Sequence, residues 1–192
     1  MKKVVLSFVA VTMLMIAGIG IAFAAFKDQT KFLGSTFSTG SADIKLLIDL
    51  AAGTDSANLT DQKQAPSFTN IGSTWSQDYL LKLYNNATTN LLVSSTSDYE
   101  TVNDPDDLRS YISVEPFDWN DNNTNGVLDS GELGTSYGKK TIVKWKTEGF
   151  DLGTINNGNV KSYVLRFSTD NLSDTKQGKT GIYDFIFDAI GL

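Results

Sequence analysis

Beyond residue 24, apolar residues recur at every second position, the period of a strand with one buried face. The clearest strands this predicts are Ser41 to Ile48, Gln77 to Tyr84, Asn90 to Ser95, Ser110 to Val114, Lys140 to Lys146, Val160 to Phe167 and Gly181 to Ile190. In the last of them Tyr183, Phe185 and Phe187 share one face, while Asp184 and Asp188 fall on the other with Ile182, Ile186 and Ile190. Tyr163, Leu165 and Phe167 alternate in the same way with Val164 and Arg166. One richly apolar face and one mixed face per strand is what two packed sheets require, so the pattern predicts an all-β two-sheet sandwich with these aromatics in its core. The polar stretches Ala52 to Gln64, Thr96 to Asp107, Asp118 to Gly138 and Asp170 to Lys179 are longer than hairpin loops and are candidates for carrying ligands or packing across neighbours. A short helix is expected within Pro105 to Arg109, where Asp106 and Asp107 favour a helix start.

The N-terminal pattern differs. Lys2 and Lys3 precede 23 uncharged residues from Val4 to Phe26, and Ala22-Phe23-Ala24 fits the small-x-small rule of a cleavable export signal. Cleavage is expected between Ala24 and Ala25, giving residues 1–24 as signal peptide, 25–34 as an extended N-terminal segment and 35–192 as one sandwich domain. The rival reading keeps the run as a membrane anchor, since a spanning helix needs about 20 apolar residues. Gly18, Gly20 and the closing alanines favour processing, so contact with a membrane is expected only through the uncleaved precursor, with a signal peptidase as its partner.

Composition narrows the chemistry. Loss of Lys2 and Lys3 moves the net charge from −6 to −8, because the whole chain has 16 basic and 22 acidic residues. An acidic chain without a basic cluster argues against nucleic acid and anionic lipid as partners. With no histidine and no cysteine, Ser-His-Asp and Cys-His nucleophile systems, HExxH zinc sites and thiolate zinc sites are excluded. Ser-Lys or paired-carboxylate catalysis stays formally open, but no linear motif announces it, and no enzymatic activity is expected. Nor can disulfides reinforce the exported domain.

One loop has a chemically specific spacing. From Asp121 to Glu132, oxygen donors stand at positions 1, 3, 5, 9 and 12 of twelve residues, with Gly126 at position 6, which is the EF-hand calcium pattern. A structural Ca²⁺ would take Asp121, Asn123, Asn125, the Val127 carbonyl, Asp129 and bidentate Glu132. The plainer reading is a solvated Asn/Asp/Gly turn. Four N-x-Ser/Thr sequons, at Asn58, Asn86, Asn122 and Asn171, mark surface loops and candidate glycosylation sites.

Ala24-Ala25-Phe26-Lys27-Asp28, followed by Thr36-Phe37-Ser38-Thr39-Gly40-Ser41-Ala42-Asp43-Ile44, resembles the opening of the TasA/camelysin family of exported matrix proteins. Asn70-Ile71-Gly72 stands where that family has an Asn-Leu-x-Pro-Gly turn, and Gln77 to Asn86 and Gln177 to Ile190 are similar to later strands of it. The chain departs from the family in lacking the Pro-Gly turn and in carrying the calcium-like insertion. The resemblance implies a jelly-roll sandwich, a dedicated signal peptidase and assembly into extracellular filaments of a biofilm matrix. Camelysin has also been described as a protease, for which the chain offers no recognisable chemistry.

A freed N-terminal segment without a partner in its own sandwich can pair with an open sheet edge of the next subunit. In residues 25–33, Phe26, Asp28, Thr30 and Phe32 alternate with Ala25, Lys27, Gln29, Lys31 and Leu33, so both phenylalanines can enter one groove as a donor strand. The contact is head-to-tail and repeats into an open homopolymer, expected to be secreted or at the cell surface. Alternatively the segment is the first strand of its own sheet or a frayed terminus. A type IV pilin-like subunit or a membrane-anchored binding module would instead retain the apolar run.

Overall fold

The computed structural model describes residues 42–192, so the expected export signal, the expected cleavage point at Ala24 and Ala25, and the expected donor segment lie outside the described residues. In chain order the elements are β1 (Ile44–Leu47), β2 (Leu59–Thr60), β3 (Trp75–Asn85), β4 (Leu91–Asp98), β5 (Ile112–Trp119), β6 (Leu133–Ser136), β7 (Lys140–Thr141), α1 (Ile142–Glu148), β8 (Phe150–Ile155), β9 (Val160–Thr169) and β10 (Asp184–Gly191). They form two antiparallel sheets, the larger ordered β2-β1-β3-β9-β5-β6 with β7 beside β5, the smaller β10-β4-β8. The all-β sandwich expected from the period of two is therefore what forms.

Its core lies between the sheets. Leu81 and Leu83 of β3, Tyr163, Leu165 and Phe167 of β9, and Val114 of β5 meet Leu91 and Val93 of β4 and Leu152 of β8, all buried. Complete burial of side chains of this size stabilises the fold by roughly 1.5–3 kcal/mol each. Asn85 is buried at the end of β3, where its amide donates to the Thr89 and Ile155 carbonyls and its oxygen accepts from Ala87 N–H. One side chain thus ties the β3–β4 turn to β8.

The outer face of the two central strands of the larger sheet is mostly polar, with Arg166 of β9 paired to Asp78 of β3. Val164 is fully buried on the side away from the core, in register with Leu80 and Phe117, because loops close over that face. Lys82 lies on the same face and donates to the Leu50 carbonyl of one loop and to Asp121 of another.

Two expectations are corrected. Residues 140–146 do not form one strand: β7 covers two of them and α1 begins at Ile142. The Thr141 hydroxyl accepts from Lys144 N–H as an N-cap, Gly149 ends the helix at φ 64°, and Ile142 and Trp145, three apart, are both buried. Trp145 stacks on Phe185 with 4.7 Å between ring centroids, joining the helix to β10. Thr141→Ala is expected to cost about 1 kcal/mol of stability, read as a lower urea midpoint. The helix expected within Pro105 to Arg109 is instead a single 3-10 turn, Leu108–Ser110. It is organised by buried Asp104, whose carboxylate accepts from Leu108 N–H, Arg109 N–H and the Arg109 guanidinium.

Candidate functional site

Two regions carry the candidate residues: a groove beside β10, and the loop of residues 121–132.

β10 is the outer strand of the smaller sheet. It pairs with β4 from Asp184 to Gly191, and among the described residues no strand pairs with its other edge. Beside that edge a groove of about 620 Å³ runs between the sheets. Its floor is Tyr79, Leu81, Leu83 and Leu165, and its facing walls are Ile44 and Leu46 of β1 and Phe185 and Phe187 of β10. Both phenylalanines pack on the core yet remain only half-buried. Residues 61–66 close the far side, and the rim carries Lys45, Asp61, Lys63 and Asp184. The Lys63 ammonium is held by the Leu47 and Ile48 carbonyls, and desolvation lowers its pKa. Among the described residues the site therefore offers an apolar trough and a row of unpaired backbone groups, the two things an extended peptide needs.

The second region packs on the outer face of the larger sheet. Asp121 leaves β5 with its side chain almost fully buried; its Oδ1 accepts from Asn125 N–H, and its Oδ2 from Gly126 N–H and, at 2.6 Å, from the Lys82 ammonium. Lys82 Nζ also lies 5.0 Å from the centre of the Trp119 ring. Asn123 Oδ1 accepts from Asn125 N–H and Asn125 Oδ1 from Val127 N–H, while both amide nitrogens donate to Asp129 Oδ2 at 2.8 and 2.9 Å. Four expected ligands, Asp121, Asn123, Asn125 and Asp129, are thus linked in one network. Glu132 is buried and already engaged: it accepts from Trp119 Nε1–H and from the loop's own Asn122 N–H and Asp129 N–H. The Val127 side chain is exposed. Among the described residues no three acidic side chains converge, so a cation here would draw on the asparagine carbonyls and compete with Lys82 for Asp121.

Lys82 escapes a motif search because it is 39 residues from Asp121. Its signal is a single charge in the apolar run Tyr79-Leu80-Leu81-Lys82-Leu83. Burial pushes the Asp121 carboxyl up, but Lys82 and the two backbone N–H groups outweigh it and hold the pKa below its ordinary value. A lowered folded pKa gives stability that is present above the unfolded value and lost as pH falls through the folded one. Acidification below about pH 4 is expected to lower the urea midpoint, and less so in Asp121→Asn.

Gly126 is fixed by two constraints. Its φ is +72°, and a Cβ would lie 2.7 Å from Ala51 N, against backbone that cannot swing aside. Gly126→Ala should therefore destabilise by about 1–3 kcal/mol in chemical denaturation, with local loosening of the loop seen by hydrogen exchange.

Of the sequons, Asn58 uses its amide to hold the Asp49 and Gly53 carbonyls, while Asn86, which donates to Asp43, and Asn122 and Asn171 are exposed. A third polar cluster joins Lys161, Tyr137 and Asp118: Lys161 donates to Tyr137 Oη, which donates to Asp118 at 2.6 Å. Burial and Asp118 push the Tyr137 phenol up, so it stays protonated as a donor.

A scan against protein-family models and a search of the curated proteins return no match to the chain.

Proposed function

We propose that the protein is a structural subunit of an extracellular filament, secreted after cleavage at Ala24, which polymerises head-to-tail when residues 25–33 of one copy fill the groove beside β10 of the next. The observation that carries this reading is the outer edge of β10, unpaired among the described residues, with an apolar groove beside Asp184–Phe187. An extended peptide placed there makes main-chain hydrogen bonds along its length and buries alternate side chains on Leu81, Leu83 and Leu165. The alternation of Phe26 and Phe32 with polar residues suits that trough. Resemblance of the N-terminal segment to the TasA/camelysin family supports the same reading, together with a jelly-roll topology and a biofilm-matrix setting.

Calcium is proposed as a structural ligand of residues 121–132 rather than as part of the polymer contact, since the loop packs on the opposite face of the larger sheet from the groove. Purified processed protein is expected to form fibres visible by electron microscopy, and N-terminal sequencing of those fibres should begin at Ala25. Absence of fibres at every concentration tried, or an intact leader in the secreted material, would overturn the proposal.

A further inference from the structure

Lys82 belongs to β3 and Asp121 follows β5, two strands separated in the sheet by β9, yet the side chains meet and are only 8% and 2% exposed. Among the described residues no other ion pair is so deeply buried on both sides. Charges withdrawn this far from water are costly to keep, and their mutual attraction repays that cost only in part. The Trp119 ring, 5.0 Å from Lys82 Nζ, adds to the shielding.

Nitrogen and carboxyl are placed to react. Nζ lies 2.6 Å from Oδ2, which sets it about 3–3.5 Å from Cγ, the separation of a near-attack pair. Oδ1 accepts from Asn125 N–H at 3.1 Å and Oδ2 from Gly126 N–H at 3.0 Å, while Nζ also donates to the Leu50 carbonyl at 2.7 Å. We infer that Lys82 and Asp121 condense into an intramolecular isopeptide bond, a covalent cross-link between β3 and the loop that follows β5. The inference is independent of whether the subunits polymerise.

The atoms balance without a co-reactant. One ammonium proton passes to Oδ2, leaving a neutral amine beside a neutral acid, and the nitrogen lone pair attacks Cγ. Negative charge gathers on Oδ1, where the Asn125 N–H meets it. A second proton moves from nitrogen to Oδ2, the Cγ–Oδ2 bond breaks and one water leaves; nothing is oxidised or reduced. A polar hollow lined by Asp118, Asn120, Lys161 and Ser162 opens beside Asp121 and gives that water a way out. The product fits the contacts already present, since its N–H has the Leu50 carbonyl as acceptor and its oxygen has the Asn125 N–H as donor. Both buried charges disappear, and two segments are joined in a chain that has no cysteine for a disulfide. The bond consumes the Asp121 carboxylate, so the calcium and acid responses described for that group belong to chains in which the pair stays ionic.

Intact-mass spectrometry of the purified protein tests this, with N-terminal sequencing to fix the chain whose mass is expected. The wild type should be lighter than its sequence mass by one water. A tryptic digest should replace the two linear peptides containing Lys82 and Asp121 by one branched peptide, whose fragmentation places the junction at those residues. Lys82→Arg and Asp121→Ala should each keep the full sequence mass and give linear peptides only. The wild-type measurement decides the matter even where a variant fails to fold. Wild-type protein at its full sequence mass after prolonged incubation in the folded state, or a loss of water mapped to other residues, would overturn the cross-link and leave a buried ion pair.

Discussion

Removal of residues 25–33 from the processed chain is expected to leave a folded monomer that forms no fibres at any concentration where the wild type does. The sandwich core is made by β3, β4, β5, β8, β9 and β10, none of which includes the deleted residues, so cooperative unfolding should persist. The proposed polymer contact is a different matter. Phe26 and Phe32 would contribute roughly 1.5–3 kcal/mol each on burial, and each main-chain hydrogen bond to β10 about 0.5–1.5 kcal/mol, against the cost of ordering the segment and joining two subunits. Analytical ultracentrifugation and electron microscopy read the outcome, and fibres of normal appearance from the deleted chain would refute strand exchange. A synthetic peptide of residues 25–33 added to the truncated monomer should bind the groove, shift Phe185 and Phe187 signals, and raise the melting temperature by mass action.

The second large effect is expected at Lys82. Lys82→Met keeps most of the stem but leaves the buried Asp121 carboxylate without its ammonium partner. Breaking a buried pair by removing one partner typically costs about 3–5 kcal/mol, because the remaining charge is uncompensated. Urea denaturation should show that loss, and Asp121→Ala should show a comparable one. Calcium then separates the two variants. If Ca²⁺ enters the loop, millimolar calcium raises the wild-type melting temperature, has no effect on Asp121→Ala, and has its largest effect on Lys82→Met, where the metal replaces the missing ammonium. The affinity expected for so few carboxylates is about 10⁻⁴–10⁻³ M. An unchanged calcium response in Asp121→Ala would remove the metal assignment and leave the loop as a lysine-pinned cover for the outer face of the sheet.

Legibility of the fold followed the regularity of each segment. β3, β4, β9 and β10 keep an uninterrupted period of two, and all were readable to within a few residues. β8 was not, because a bulge interrupts it: the register with β4 shifts between Val93 and Ser94, and Gly153 sits at φ +78°. The segment from Lys140 was misread because Ile142, Lys144 and Lys146 alternate with Val143 and Trp145 as a strand would, while Ile142 and Trp145 also match a helical face. The Thr141 cap and Gly149 resolve that ambiguity in favour of the helix. β6 and β7 are too short to show a period.

The candidate sites divide along the same line. Local patterns, the leader with its cleavage rule, the alternation in residues 25–33 and the twelve-residue loop, are properties of neighbouring positions and can be read directly from the chain. The lack of histidine and cysteine likewise narrows the chemistry without any structure. The groove could not be read in that way, because β1, β3, β9 and β10 reach it from opposite ends of the domain. The same holds for the Lys82–Asp121 pair, since a buried charge finds its partner only after long-range sheet pairing has placed both under one loop. Sequence spacing specifies which atoms a short segment can present. Tertiary packing decides which of those atoms are already satisfied and which edge stays open, because burial and hydrogen bonding depend on neighbours that are remote along the chain.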